Sequence, residues 1–167
     1  MVLVGHSWGG TVISEAGNDA RVKSLVYVAA FAPDSGQSTA DLAGSYPAPP
    51  GSAGIAKTAD AYLYLPTGAV RKDFAPDVKP AIQDTIAATQ GPIKAEAFGE
   101  KVAHAAWHDK PSWYVVSKND RMINPDLERA MAKTIHAKTA EVAASHVSMV
   151  SQPQIVARTI EQAISSN

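Results

Sequence analysis

The chain has 167 residues, 46% of them hydrophobic, enough for one domain with a buried core. Its formal net charge is −1 with 19% charged residues, so it lacks the basic footprint of a nucleic-acid binder. With no cysteine, it has no disulfide, no thiolate metal site and no cysteine nucleophile.

Val2-Leu3-Val4 opens the chain as a short, buried, β-branched strand. Gly5-His6-Ser7-Trp8-Gly9 follows and fits G-x-S-x-G, the strand-to-helix turn that presents a reactive serine. Such a turn strains the serine and crowds its flanks, so glycine is expected at both 5 and 9. Gly10 and then residues 11–16 read as a helix closing at Gly17-Asn18. The plainer alternative is a Gly/Ser turn after any strand. A phosphate-binding loop fits worse, because neither G-x-G-x-x-G nor a Gly-Lys-Ser/Thr pair is present.

Residues 22–30 form a second buried strand, ended by Ala32-Pro33-Asp34-Ser35-Gly36. The texture then changes over residues 37–110, with Pro47, Pro49, Pro50, Gly51 and Gly54 in an extended stretch. A helix is expected over 77–90, closed by Gly91-Pro92. About seventy residues is too long for a plain loop, so the segment reads as a helical cap inserted over the sheet.

Residues 112–117 are a third strand, and Asn124-Pro125 supplies an N-cap and a first-turn proline for a helix to about 135. Residues 138–143 are a fourth strand, and Ser151-Gln152-Pro153-Gln154 fits a capping box for a last helix over 152–164. Strands alternating with helices imply an α/β fold with about four parallel strands in a single domain. The longest apolar run, residues 25–32, is too short to span a bilayer, so no membrane association is expected. No basic leader or cleavage site opens the chain, which makes a cytoplasmic location the expectation.

A serine hydroxyl needs a histidine base, and the base needs a carboxylate to hold its tautomer. Asp120 follows the third strand and His146 follows the fourth, which gives the order serine, acid, histidine. Asp34, after the second strand, is the reserve acid. Asp126 and Glu128 are expected to serve the positive N-terminus of their own helix. His104 and His108 share i,i+4 spacing without a carboxylate pattern and read as loop residues, and no metal or cofactor is implied.

Gly5-His6-Ser7-Trp8-Gly9-Gly10, Phe31-Ala32-Pro33-Asp34-Ser35, Asn119-Asp120 before a proline-started helix, and His146-x-x-Met149-x-Ser151-x-Pro153 occur in one order. Together they resemble the small-ester branch of the α/β-hydrolases: bacterial carboxylesterases similar to plant methylesterases and hydroxynitrile lyases. The resemblance implies Ser7 as nucleophile, His146 as base and Asp120 as acid. It also implies an acyl-enzyme and small ester substrates. Hydroxynitrile lyases carry lysine after the histidine, where this chain has Val147, so ester hydrolysis is favoured. Dehalogenases and epoxide hydrolases use an aspartate where Ser7 stands.

The resemblance covers the back half of such an enzyme, so an N-terminally truncated form is expected. The Trp8 backbone N–H is then one oxyanion donor, while the loop that supplies the other precedes the elbow. His6, Tyr64 and Phe74 are candidates for substrate contact, as are Tyr62 and Leu65, although core packing is the plainer role for the aromatic and apolar ones. An uncovered first strand would offer an apolar edge for pairing, so a homodimer is expected. A non-catalytic homologue acting through association, and an acyltransferase or perhydrolase with the same triad, are the alternative readings.

Overall fold

The structure is a computed structural model that describes residues 1–166. Its main sheet is laid down by β1 (Val2–Ser7), helix α1 (Gly9–Ala16) and β2 (Ser24–Ala30). Residues 37–110 then contribute α2 (Thr39–Gly44), β3 (Ala56–Lys57), β4 (Tyr62–Tyr64), a single turn α3 (Thr67–Ala69), α4 (Pro80–Thr89) and β5 (Ile93–Lys94). The chain returns to the sheet with β6 (Ser112–Ser117), α5 (Pro125–Thr134) and β7 (Lys138–Val142), and ends in α6 (Ser148–Ser151) and α7 (Pro153–Ser165). β1, β2, β6 and β7 lie side by side in that order, all parallel.

The period-2 pattern explains the layers. Leu25, Tyr27, Tyr114 and Val116 point to one face and pack with Ile13 of α1 and Leu127, Met131 and Ala132 of α5. Val26, Val28, Trp113 and Val115 point to the other face and pack with Val156 and Ala163 of α7. Every residue of β2 and β6 is buried, as expected for strands covered on both faces. β1 is paired on one side only, with β2, and Val4 on it is 45% exposed.

Between residues 37 and 110 the helical expectation is only half correct. β3, β4 and β5 form a separate antiparallel sheet there. Its strands are two or three residues long, too short for alternation to be read from sequence. α4 starts at Pro80 rather than 77, because proline fixes the first helical position and Lys79 stays extended before it. A capping box does form at α2, where Ser38 Oγ accepts from Asp41 N–H and Asp41 Oδ2 accepts from Ser38 N–H. The box expected at Ser151 does not form: Ser151 ends α6, and Gln152 makes no side-chain cap bond to α7.

The turn after β1 shows which glycines matter. A Cβ on Gly5 would lie 2.6 Å from the Gly9 carbonyl oxygen, so Gly5 is required by the α1 backbone crossing it. A Cβ on Gly9 meets nothing, contrary to the expectation that both flanks are crowded. The tight position is Gly10, where a Cβ would overlap the Phe31 carbonyl oxygen and lie 2.9 Å from Ala30 Cβ. Both neighbours are fixed in the sheet and cannot yield. Gly10→Ala is therefore expected to destabilise the fold by about 2 kcal/mol or more, read as a fall of roughly 4 °C or more in thermal midpoint.

Candidate active site

β1, β6 and β7 run parallel, so the residues that follow them emerge at one edge of the sheet. Ser7 ends β1, Asp120 lies in the loop after β6, and His146 lies in the loop after β7. The structure thus brings the three sequence-derived candidates to a common edge.

Ser7 has φ 54°, a left-handed conformation uncommon for a side chain other than glycine. The neighbouring strand carries a second such residue, Ala29 at φ 42°. His6 is opposite Val28 but Ser7 is opposite Ala30, so Ala29 is the extra residue of a bulge. Tyr114 steadies that bulge: its hydroxyl donates to the Ala30 carbonyl and accepts from the Ala30 N–H. Phe31 N–H donates to the Ser7 carbonyl at 3.1 Å, tying the two strained residues into one ladder.

Asp120 and His146 form a dry pair. His146 Nδ1 donates to Asp120 Oδ2 at 2.6 Å, and the residues are only 1% and 5% exposed. The other Asp120 oxygen accepts from the backbone N–H groups of Met122 at 2.6 Å and Ile123 at 3.0 Å. Burial opposes ionisation of Asp120, but its interaction and hydrogen bond with His146, with those two N–H donors, hold its carboxyl below the usual range. With Nδ1 bearing the proton that faces Asp120, Nε2 of His146 is left as a proton acceptor.

His6 packs its ring 4.6 Å from that of His146, and Phe74 closes over His146 at 5.0 Å and His6 at 6.3 Å. His6 Nε2–H donates to the His146 carbonyl at 2.8 Å. Phe74 ends a five-residue π-type turn, Val70–Phe74, and joins Leu65 and Met149 around Val147. Tyr64 is exposed on β4, and among the described residues no hydrogen bond or ring contact links it to His6, Phe74 or His146.

All three loops at this edge are tied to residues 37–110. Trp8 Nε1–H donates to the Ala97 carbonyl at 3.2 Å. Arg121, next to Asp120, pairs with the buried Asp73 at 2.7 Å. Ser145, next to His146, donates its N–H (2.8 Å) and hydroxyl (2.5 Å) to Asp77. Burial opposes ionisation of Asp77, but those two hydrogen bonds hold its carboxyl below the usual range. The sequence carries no local sign of these ties, since each joins residues far apart in the chain.

Two expectations fail here. Asp34 does not face His146: it is half-buried and bonds His108 Nε2 at 2.7 Å, with the Trp107 ring tilted 32° to the His108 ring at 3.8 Å. Glu128 does not serve its helix N-terminus at the surface. It is 0% exposed, and its Oε2 accepts from the Ser117 N–H at 3.0 Å. The signal was present in sequence, because Glu128 shares the buried stripe of α5 with Leu127, Met131 and Ala132. Among the described residues no three His, Asp or Glu side chains group for a metal ion, and no helix is long and apolar enough to cross a membrane.

The sequence model of the alpha/beta hydrolase family matches residues 2–159. The chain belongs to the α/β-hydrolase family. Within the family, the alpha/beta hydrolase nvfD of Aspergillus novofumigatus is 27% identical over 176 residues, covering 98% of this chain and 69% of that protein. Among solved structures, the methylesterase MES16 from Arabidopsis matches with TM-score 0.81 at 15% identity, over 100% of this chain and 70% of its own. A pyrethroid hydrolase from Sphingobium faniae JZ-2 matches with TM-score 0.75 at 20% identity, over 96% of this chain and 69% of its own. At these identities the structural matches establish the shared fold.

Burial first, and the nearby His146 second, lower the His6 pKa from 6.5 to about 3. An unfolded chain therefore takes up a proton on His6 below pH 6.5, while the folded chain does so only near pH 3. Between those values the unfolded state holds more protons, so His6 makes the fold less stable as pH falls. His6→Gln, which keeps a donor for the His146 carbonyl, should flatten the fall of the urea midpoint between pH 6.5 and 3. An unchanged slope would show that His6 titrates alike in both states.

Proposed function

We propose that this chain is a serine carboxylesterase acting on small esters through an acyl-enzyme. The observation that carries the reading is the buried 2.6 Å pair between His146 Nδ1 and Asp120 Oδ2, at the edge where Ser7 stands in a strained turn. Ser7 Oγ attacks the ester carbonyl carbon as its proton passes to His146 Nε2. The carbonyl π pair moves to oxygen, where the Trp8 N–H, at the start of α1, is a donor for the developing charge. The tetrahedral intermediate collapses, its C–O bond to the alcohol breaks, and His146 returns the proton to the departing oxygen. Water, deprotonated by the same nitrogen, attacks the acyl-enzyme, and collapse releases the acid and restores Ser7. Asp120 keeps its charge throughout and stabilises the imidazolium.

Residues 37–110 act as a cap in this reading, with Phe74 and His6 against the base as walls for an apolar acyl or alcohol group. Tyr64, exposed on β4, is at most a contact at the mouth. Esterases among the structural neighbours, the Arabidopsis methylesterase and the pyrethroid hydrolase, support ester substrates as a class. Ser7→Ala should lower turnover of p-nitrophenyl acetate and butyrate by on the order of 10³-fold or more. Equal rates in the two proteins would remove the catalytic reading. Asp120→Asn should lower kcat by roughly 10²–10⁴-fold, because the amide no longer favours the Nδ1–H tautomer.

A second reading concerns association. β1 has a strand partner on one side only, and Val4 and Met1 are exposed along it. Pairing of two β1 strands about a two-fold axis would continue the sheet across a homodimer. Light scattering at micromolar concentration should give the mass of a dimer, and a monodisperse monomer would dismiss this arrangement.

A further inference from the structure

Glu128 is the buried carboxyl of α5, fully enclosed and unused by the esterase reading. Its Oε2 accepts from the Ser117 N–H, but Oε1 has no hydrogen-bond partner as long as the group is a carboxylate. The neighbour in reach of a hydrogen bond is the side chain of Asp120. Two ionised carboxylates in that space would repel each other without water to screen them. A proton between them removes the repulsion and satisfies the orphan oxygen in one step.

The donors around the two groups decide where that proton sits. Asp120 receives three hydrogen bonds, from His146 Nδ1, Met122 N–H and Ile123 N–H. Glu128 receives one, from Ser117. The better-solvated anion is therefore Asp120, and the proton belongs on Glu128. The other groups facing Glu128 agree. Burial and the Asp120 charge push its carboxyl well above the usual range, and Arg129 on the same helix only partly opposes them. Tyr114 of β6, whose own hydroxyl is pushed well above the usual range by burial and by Glu128, remains neutral and offers no counter-charge.

We propose that Glu128 is a positioning residue, a neutral carboxylic acid that donates a hydrogen bond to the Asp120 carboxylate and holds it against His146. This deepens the esterase reading and rests on it for its kinetic consequence. Glu128 would act as a further support for the Asp120 carboxylate, with no contact to substrate.

The test uses two substitutions in the whole chain, assayed on p-nitrophenyl acetate beside Ser7→Ala. Glu128→Gln can still accept from Ser117 and donate to Asp120, so its kcat should stay within about threefold of the parent. Glu128→Leu has similar volume but no donor, and its kcat should fall roughly tenfold with KM nearly unchanged. A folded Glu128→Leu with parental kcat, or a Gln variant as impaired as the Leu variant, overturns the proposal. If the Leu variant does not fold, carbon NMR of the Glu128 carboxyl in the parent decides. A protonated shift at pH 7 is expected, and an ionised one overturns the proposal. Parental activity in Ser7→Ala would instead overturn the esterase reading, while the NMR result would still decide the state of Glu128.

Discussion

The close approach of α1 to the end of β2 is the contact on which the site rests. Gly10 sits where any side chain would strike the Phe31 carbonyl, and Gly5 sits where one would strike the backbone of Gly9. With both side chains absent, the chain reverses from strand to helix within one residue and leaves Ser7 at the tip. β2 accommodates the reversal by a bulge at Ala29, and the Tyr114 hydroxyl closes the Ala30 backbone groups that the bulge leaves open. Each strained residue costs about 1–3 kcal/mol on its own. Ser7 and Ala29 persist because strand pairing on both sides of β2 and the Tyr114 bonds over-determine the geometry.

Burial then separates the roles of the polar groups. Asp120, Glu128 and His146 are buried and the half-buried His6 packs against His146, so each charge there is expensive. Asp120 holds its charge because three hydrogen-bond donors, His146 Nδ1 and the N–H groups of Met122 and Ile123, point toward it. His6 stays neutral because burial and then the neighbouring His146 disfavour a charge there, and Glu128 stays neutral because burial and then the Asp120 charge oppose its ionisation. The difference between the two carboxyls comes from the number of hydrogen-bond donors around each, since their side-chain chemistry is nearly the same.

The fold was legible where sequence signals are local and repeated. Residues 112–117, Asn124-Pro125 and the long apolar second strand led to β6, α5 and β2 with boundaries within two residues. The parallel order followed from the alternation of strands and helices. The candidates Ser7, Asp120 and His146 can be named from sequence because each lies at or just after a strand end marked by turn residues. β3, β4 and β5 were not, because two- and three-residue strands carry no period. Asp73 and Asp77 were not, because a carboxylate on a loop gives no sign of the distant Arg121 or Ser145 that it binds. Glu128 was readable in principle from its place in the apolar stripe of α5. Its place in the first turn of α5 points the other way, because acidic residues there usually face solvent.

The ties at Asp73 and Asp77 lie only four positions apart, yet one grips the loop of the acid and the other the loop of the histidine. This short stretch works as a yoke. A displacement of it would carry Asp120 and His146 in the same direction and preserve their 2.6 Å separation. The Ala97 carbonyl, which accepts from Trp8, and the Gly51 N–H, which donates to the Arg121 carbonyl at 2.7 Å, also hold loops of the site, whereas β3 and β4 pair only within the small antiparallel sheet. Substitutions around β3 and β4 can therefore reshape that part of the surface while the Asp120–His146 pair stays fixed.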